Sequence, residues 1–259
     1  MTFNYDFVLS QMELFLLILV RITAFAHTAP FFSISNVPIR VKLGLSIFIS
    51  LLVFSVNPNQ SYAYDGIIGY ALLIGKEALV GVIIGYSANI CMQVIHFAGH
   101  IIDVNIGMAM ATMYDPATKM QVNISGNLYY YLVMMLMLIS GLHQFIVRAI
   151  VDTYTVLPVG AATINPGLYS SVLGFIADYF VVGFRIALPV FITIMIVNSI
   201  LGIMARVAPQ MNMFAVGIGI KVVAGLVIMY VTVALLPLVA SVLMENMKEV
   251  IVKIVEGLY

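Results

Sequence analysis

Hydrophobic runs with very few charged side chains constrain this chain more than any other feature. Two of them, residues 67–111 and 168–204, are longer than the roughly 20 apolar residues that cross a bilayer. A third, residues 43–56, is shorter than a span and suits one arm of a helical hairpin. The pattern predicts an all-α protein whose hydrophobic segments differ from ordinary membrane spans.

The composition excludes a soluble protein with polar surface all round. Of the 259 residues, 63% are hydrophobic and 8% are charged, against about 25% charged in soluble domains. The chain is therefore expected in a membrane or in the core of a hydrophobic assembly. Its net charge of zero argues against a nucleic-acid partner, which needs a basic face. The single cysteine, Cys91, is expected to be a small buried hydrophobe.

Charged side chains inside the apolar runs predict specific partners. Glu13 and Arg21 interrupt the first run, which lacks the positive start of a cleavable signal and is expected to be retained. Glu77 is followed by Gly81 and Gly85 at i+4 spacing, and such a glycine pair is typical of close helix–helix contact. Charges in lipid are costly unless they are paired. We therefore expect these residues to face another helix or subunit.

No residue pattern indicates an enzyme. His96 and His100 have a spacing that suits a metal, but the sequence lacks the acidic residue of a zinc-protease motif between them, and Asp103 is the acidic neighbour. A nucleotide-binding lysine motif and a nucleophile elbow are missing as well. We predict no catalytic residue, cofactor or metal. An intramembrane enzyme stays open as an alternative that would depend on these three side chains.

Residues 107–116 alternate methionine with small side chains. Gly107 leads into Met108, Met110 and Met113, and the segment runs into Asp115 and Pro116. Methionine fills irregular spaces without fixing one shape, and an Asp-Pro pair favours a turn. The segment suits an adaptable filler, or equally a helix end that packs on lipid or a neighbour.

A polar turn separates the last two hydrophobic helices. Arg206 ends one run, and Pro209, Gln210 and Asn212 break it. Lys221 then stands between Gly217 and Gly225 at i+4 spacing, so its face predicts close packing, while a simple turn with Lys221 reaching back is the alternative.

These features together resemble the family of the flagellar biosynthetic protein FliR, which includes subunits of virulence type III secretion systems. The resemblance covers nearly the whole chain, with Met108 standing where the family usually has an aromatic residue. Its motifs, in order, are Arg21, the loop with Pro30, Pro38 and Arg40, Glu77 with Gly81 and Gly85, residues 93–103 with Gly99, Gly107 to Asp115–Pro116, and Arg206, Pro209, Gln210, Asn212, Gly217 and Lys221.

The resemblance implies a single export-gate domain over residues 1–259, with a FliP-like part at about 1–167 and a FliQ-like hairpin at about 168–259. It implies assembly with FliP-like and FliQ-like subunits into a closed helical ring, alongside FlhA-like and FlhB-like export proteins and membrane lipid. Unfolded secreted proteins are the implied cargo, and residues 107–122 correspond to the family's pore plug. The implied location is the inner membrane, within the flagellar basal body.

Two other functions stay open on the sequence. Buried charges and helices broken by proline or glycine also suit a secondary transporter of small molecules. The equivalent subunit of a virulence secretion system has the same family pattern. The charges in the apolar runs also predict that the chain is unstable as an isolated monomer in detergent.

Overall fold

The computed structural model describes residues 5–34, 37–56, 62–108, 123–163, 165–210 and 212–259, with side chains given from residue 9 and not at 213 and 214. These residues are helical and include no strand, which confirms the all-α prediction. The helices are α1 (Tyr5–Thr28), α2 (Ile39–Val56), α3 (Gly66–Ile106), α4 (Ile124–Ile139), α5 (Leu142–Val156), α6 (Gly167–Val207), α7 (Met213–Thr232) and α8 (Leu236–Gly257), with a 3₁₀ turn at Val233–Leu235 between the last two.

Five helical stretches of the described chain are long and apolar enough to cross a membrane. They are Leu9–Thr28, Ile39–Val56, Gly66–Ile106, Gly167–Val207 and Ala215–Gly257, and α4 with α5 counts as a sixth if the two form one span. The helices α3 and α6, which contain the overlong runs, have 41 residues each; α3 ends at Ile106, and α6 continues through Pro189. The chain is an integral membrane protein.

One expectation from hydrophobicity is wrong. The apolar run 128–147 predicts a single unbroken span, but α4 ends at Ile139 and α5 begins at Leu142. Gly141 between them has φ +79°, in the left-handed region, where a helix cannot continue. The hydrophobicity of the run hid this break because Gly141 carries no polar group.

The chain forms two compact units that are nested along the sequence. Unit 1 contains Met1–Cys91, Gly141–Phe175 and Glu245–Tyr259, and unit 2 contains Met92–Ser140 and Ile176–Met244. Helices α3, α6 and α8 each contribute residues to both. This division differs from the boundary near residue 167 that the resemblance implies, which stays a prediction.

The core of unit 1 is built on one face of α1. Leu14, Leu17, Ile18 and Ile22 follow the three- and four-residue spacing of a helix face and are buried. They pack with buried side chains of α2, α3, α5 and the loop after α5, namely Ile49, Val53, Leu73, Tyr154 and Val159.

Unit 1 also includes the end of the described chain. The backbone N–H of Thr163 donates to the Leu258 carbonyl at 2.9 Å, and that of Asn165 donates to the Gly257 carbonyl at 3.1 Å. Leu258 is buried, so this end is packed as well as hydrogen-bonded.

Unit 2 has its own buried stripe on each of three helices. On α3 the buried side chains include Ile95, Ile102 and Ile106, and on α6 they are Ala187, Val190 and Ile194. On α4, Tyr129 is buried, and its hydroxyl is 2.7 Å from the hydroxyl of Thr232 at the end of α7.

Candidate functional site

A buried ion pair between α1 and α3 is the most constrained polar group of unit 1. Arg21 donates from Nε to Glu77 Oε2 at 2.5 Å and from Nη2 to Oε1 at 3.1 Å. Both side chains are fully buried. This bidentate geometry is the strong form of an arginine–carboxylate contact. The counter-charge of Glu77 is therefore Arg21, on a helix of the same chain.

The loop after α5 completes this pair. Arg21 Nη1 donates to the Leu157 carbonyl at 3.0 Å, and the backbone N–H of Gly160 donates to Glu77 Oε1 at 2.8 Å. The Arg21 guanidinium also lies 4.3 Å from the ring centroid of Tyr154. These bonds satisfy charges that would otherwise be costly to bury. The sequence identified Arg21 and Glu77 but missed Tyr154, Leu157 and Gly160, since two of these act through backbone atoms that no side-chain pattern reveals.

Gly81 and Gly85 bring α3 against α1 beside the ion pair. A Cβ on Gly81 would collide with the Arg21 carbonyl oxygen, and one on Gly85 would collide with Thr28 Oγ1 and the Phe25 carbonyl oxygen. The two backbones can approach this closely because glycine has no side chain. The contact is within one chain, and an additional role of these glycines toward other subunits stays a prediction.

A second charged side chain, Glu13, lies in the first half of α1 and contacts two tyrosines. Glu13 accepts hydrogen bonds from the hydroxyls of Tyr62 at 3.4 Å and Tyr64 at 2.9 Å. Burial, followed by the negative charge of Glu13, raises the pKa of Tyr62 from 10.0 to about 12. The hydrogen bond to Glu13 raises the pKa of Tyr64 as well.

In unit 2, Asp103, Asn123 and Ser125 connect the beginning of α4 to α3, and we call these residues the α3–α4 clasp. Asp103 accepts from the backbone N–H and the hydroxyl of Ser125, at 3.2 and 2.5 Å. Asn123 Nδ2 donates to the His96 carbonyl at 2.6 Å. Asn123 also caps α4, because its Oδ1 accepts from the Gly126 backbone N–H at 2.8 Å.

The same residues explain the polar cluster that the sequence offered as a metal or enzyme candidate. Asp103 is buried and bonded to Ser125, and the His96 ring stacks on Tyr130 with centroids 4.4 Å apart. Among the described residues, no group of three metal-ligating side chains forms. Gly99 contributes by close approach, since a Cβ there would overlap the Gly126 backbone.

The predicted plug segment begins directly after α3. Gly107 ends the helix with φ +91°, a left-handed conformation that favours a residue without a Cβ. Its backbone N–H bonds back to the Asp103 carbonyl at 3.1 Å. Met108 is the last described residue before the gap, and Met110, Met113, Asp115 and Pro116 lie outside the described residues.

The turn between α6 and α7 has the expected helix boundaries. Arg206 lies in the last turn of α6 and is exposed, and Pro209 and Gln210 form the turn. Asn212 caps α7, with its Oδ1 accepting from the Ala215 backbone N–H at 3.3 Å.

Lys221 lies between two glycines that pack inside unit 2. A Cβ on Gly217 would come 3.3 Å from Leu201, and one on Gly225 would collide with Ile106. Lys221 itself is half-exposed, and within the described ranges its ammonium forms no ion pair.

Comparison with known proteins places this chain in a class. The family model "Bacterial export proteins, family 1" matches residues 12–247. The chain therefore belongs to this family of bacterial export proteins, and the resemblance found in its motifs is confirmed.

The curated relatives specify the resemblance further. The chain is 31% identical to flagellar biosynthetic protein FliR of Bacillus subtilis over 86% of each protein. It is 30% identical to FliR of Pectobacterium carotovorum, over 92% of this chain and 90% of the relative. Identity to FliR of Escherichia coli is 28%, over 90% of this chain and 87% of the relative.

Proposed function

We propose that this chain is a core, non-enzymatic subunit of the flagellar type III export gate in the bacterial inner membrane, within the flagellar basal body. With FliP-like and FliQ-like subunits it forms the channel through which unfolded flagellar proteins leave the cytoplasm. FlhA-like and FlhB-like export proteins are its further partners. The observation that carries the proposal is the family match over residues 12–247, together with relatives named flagellar biosynthetic proteins.

The exposed surface supports assembly with other hydrophobic chains. Large apolar side chains are exposed along the described helices, among them Ile67 at 90% and Tyr230 at 82%. Lipid can cover such a surface, and so can the helices of neighbouring subunits. A helix longer than the bilayer core leaves part of its apolar length outside the hydrocarbon, which favours protein neighbours there.

The gate is assigned to residues 107–116, on the motif that the sequence revealed. The α3–α4 clasp supports this assignment, because Asp103 and Ser125 bond the end of α3 to the start of α4. The chain that leaves α3 at Gly107 therefore returns to the same place at Asn123. A hydrophobic constriction can seal a pore by excluding water, and methionine packs such a lumen with little geometric demand.

Deletion of residues 108–114 tests the gate. The complex is expected to assemble and to become leaky to small ions, while Met110→Ala with Met113→Ala gives a milder leak of the same kind. Ion flux into vesicles that contain the purified complex is the measurement. Met135→Ala is the matched control, because Met135 is an exposed methionine on α4 outside the segment.

The outcomes separate the gate from the general function. A deletion complex that assembles and keeps the ion gradient of the wild type rules out residues 108–114 as the seal. A chain that transports a small solute alone in vesicles, with no partner subunit, instead overturns the export-gate proposal and favours a secondary transporter.

We assign the α6–α7 turn and Lys221 to subunit contact. Arg206 is exposed, and Lys221 has no ion pair within the described part of the chain. A cation in an apolar helix needs a counter-charge, which a neighbouring subunit can supply. Lys221→Met is expected to release the chain from co-purified partner subunits, and Lys221→Arg to keep it bound. Full retention of the partners by Lys221→Met contradicts the assignment.

A further inference from the structure

A groove in unit 2 has an arginine on an otherwise apolar wall. Its volume is about 290 Å³. Its lining includes Tyr129 of α4, Arg185 and Pro189 of α6, Thr232, and Leu236 and Val239 of α8. We call it the Arg185 groove.

The guanidinium of Arg185 is the unsatisfied group of this groove. Arg185 is exposed, and in the described ranges it forms no ion pair and donates no side-chain hydrogen bond. The two hydroxyls of the groove, Tyr129 and Thr232, already bond to each other at 2.7 Å. A guanidinium beside apolar surface in a membrane protein is stabilised by an anion, so the groove favours an anionic occupant.

The position of Arg185 along α6 indicates which anion reaches it. Residues 186–205 contain no charged side chain, and Arg206 ends this stretch. Twenty helical residues measure about 30 Å, which equals the thickness of the hydrocarbon core. Arg185 and Arg206 therefore stand at the two ends of a span, at the depth of the lipid headgroups.

We propose that the Arg185 groove binds a membrane phospholipid, with its phosphodiester on the Arg185 guanidinium and an acyl chain along the apolar wall. Arginine presents paired donors that match phosphate oxygens. The alternative occupant is a carboxylate on an apolar helix of another subunit. The depth of Arg185 favours the lipid, because phosphates are concentrated at the bilayer surface and carboxylates on membrane helices are rare.

Asp178 limits the kind of headgroup. It is exposed on α6 two turns before Arg185, about 10 Å along the helix. A carboxylate at this distance repels additional negative charge. The groove is therefore expected to take a headgroup with one negative phosphodiester rather than a multiply phosphorylated one.

Native mass spectrometry of the full-length chain with its co-purified subunits tests the proposal, because the chain alone is expected to be unstable in detergent. Phosphatidylglycerol is titrated into the detergent-solubilised protein, with diacylglycerol of the same acyl chains as the probe without phosphate. Arg185→Gln is expected to weaken phosphatidylglycerol binding about ten-fold, the loss of one charge-assisted contact. Diacylglycerol binding is expected to stay unchanged.

Two further variants separate the site from general effects. Arg206→Gln is the matched control, because Arg206 is exposed on the same helix but outside the groove, and its expected loss is less than about two-fold. Val239→Trp fills the groove and is expected to block both lipids while leaving Arg185 in place. It also keeps the test decisive if Arg185→Gln folds poorly.

Three results overturn the proposal. The first is a phosphatidylglycerol affinity of Arg185→Gln equal to that of the wild type, and the second is a loss in Arg206→Gln as large as that in Arg185→Gln. Release of a co-purified subunit by Arg185→Gln, with lipid binding intact, assigns the groove to a carboxylate-bearing helix instead. Lipid binding and subunit release are both measured without any export assay, so these results are independent of the export function.

Discussion

The bidentate pair of Arg21 and Glu77 makes unit 1 sensitive to single substitutions at two positions. Arg21→Met leaves Glu77 buried without its counter-charge, and Glu77→Met does the same to Arg21. Breaking a buried ion pair from one side costs about 3–5 kcal/mol. Each single variant is therefore expected to lower the free energy of unfolding by that amount, measured by thermal unfolding in detergent.

The double variant and an exposed pair serve as controls. Arg21→Met with Glu77→Met is expected to cost less than the two single variants together, because no lone charge remains. Glu249 and Lys253 form an ion pair at 2.7 Å with both side chains more than half exposed, and Lys253→Met should cost less than about 1 kcal/mol. Equal losses at the buried and exposed pairs would contradict a structural role for Arg21 and Glu77.

The Tyr62 hydroxyl gives a prediction about pH. Its pKa in the folded protein, about 12, lies above the ordinary value of 10.0. Burial and the negative charge of Glu13 cause this rise, so the stability contributed by the neutral hydroxyl is fully present below about pH 10 and is lost as the pH rises through about 12. Tyrosinate absorbance during an alkaline titration should lack one late-titrating group in Tyr62→Phe. In Glu13→Gln that group should titrate at lower pH, though burial keeps it above 10.

Residues of the ion pair could be predicted from the sequence, but their geometry could not. Arg21 and Glu77 were visible because charges are rare in apolar runs. The two residues lie on different helices and are 56 positions apart in the sequence. The Leu157 carbonyl and the Gly160 N–H, which complete the pair, belong to the backbone. Asp103 was also visible, but it was considered together with His96 and His100 as a metal or enzyme candidate. Its partner in the structure, Ser125, belongs to no recognisable sequence pattern.

At the scale of the elements, the packing of α1 on α3 depends on two glycines. Gly81→Ala and Gly85→Ala place a methyl group against backbone atoms of α1, and overpacking of this kind costs about 1–3 kcal/mol. Gly75→Ala is the matched control on the same helix, because its Cβ meets nothing within 4 Å, and alanine there should be neutral or stabilising. Thermal unfolding of the three variants is the measurement. Equal stability of all three would exclude close packing at Gly81 and Gly85.

The lengths of the helices followed from hydrophobicity, while their ends depended on backbone conformation. The long runs became α3 and α6 because nothing in them stops a helix, and Pro189 did not end α6. The break at Gly141 was missed because glycine is also common inside membrane helices. The amphipathic segment after Met244 has the pattern of a short interfacial helix, but it continues α8, which runs unbroken from Leu236 to Gly257.

At the scale of the whole molecule, the internal pairing changes the reason to expect instability of the isolated chain. Arg21 and Glu77 satisfy each other, and Glu13 is bonded to tyrosines, so unit 1 needs no outside charge for these groups. Lys221 of α7 forms no ion pair in the described part of the chain, and we assign its counter-charge to a neighbouring subunit. The remaining need for partners is therefore proposed to lie at the α6–α7 turn and Lys221.

This assignment predicts where partner subunits add stability. Hydrogen exchange of the chain alone, compared with the chain in its complex, should show the larger gain of protection in α6 and α7 and little change around Arg21 and Glu77. Binding stabilises the segments that it contacts. A monodisperse chain that is equally protected alone and in complex would contradict the need for partners.

The hydrogen bonds from Thr163 and Asn165 to the carbonyls of Leu258 and Gly257 also have a consequence for biosynthesis. A ribosome makes both segments of unit 2 before it makes residues 245–259 of unit 1. Unit 2 can therefore fold while the loop after α5 still lacks the carbonyls of Gly257 and Leu258. Unit 1 contains both the first and the last residues to be made. If translation stops after Met244, this loop lacks its hydrogen bonds to Gly257 and Leu258, and we expect a quality-control protease to cleave there first.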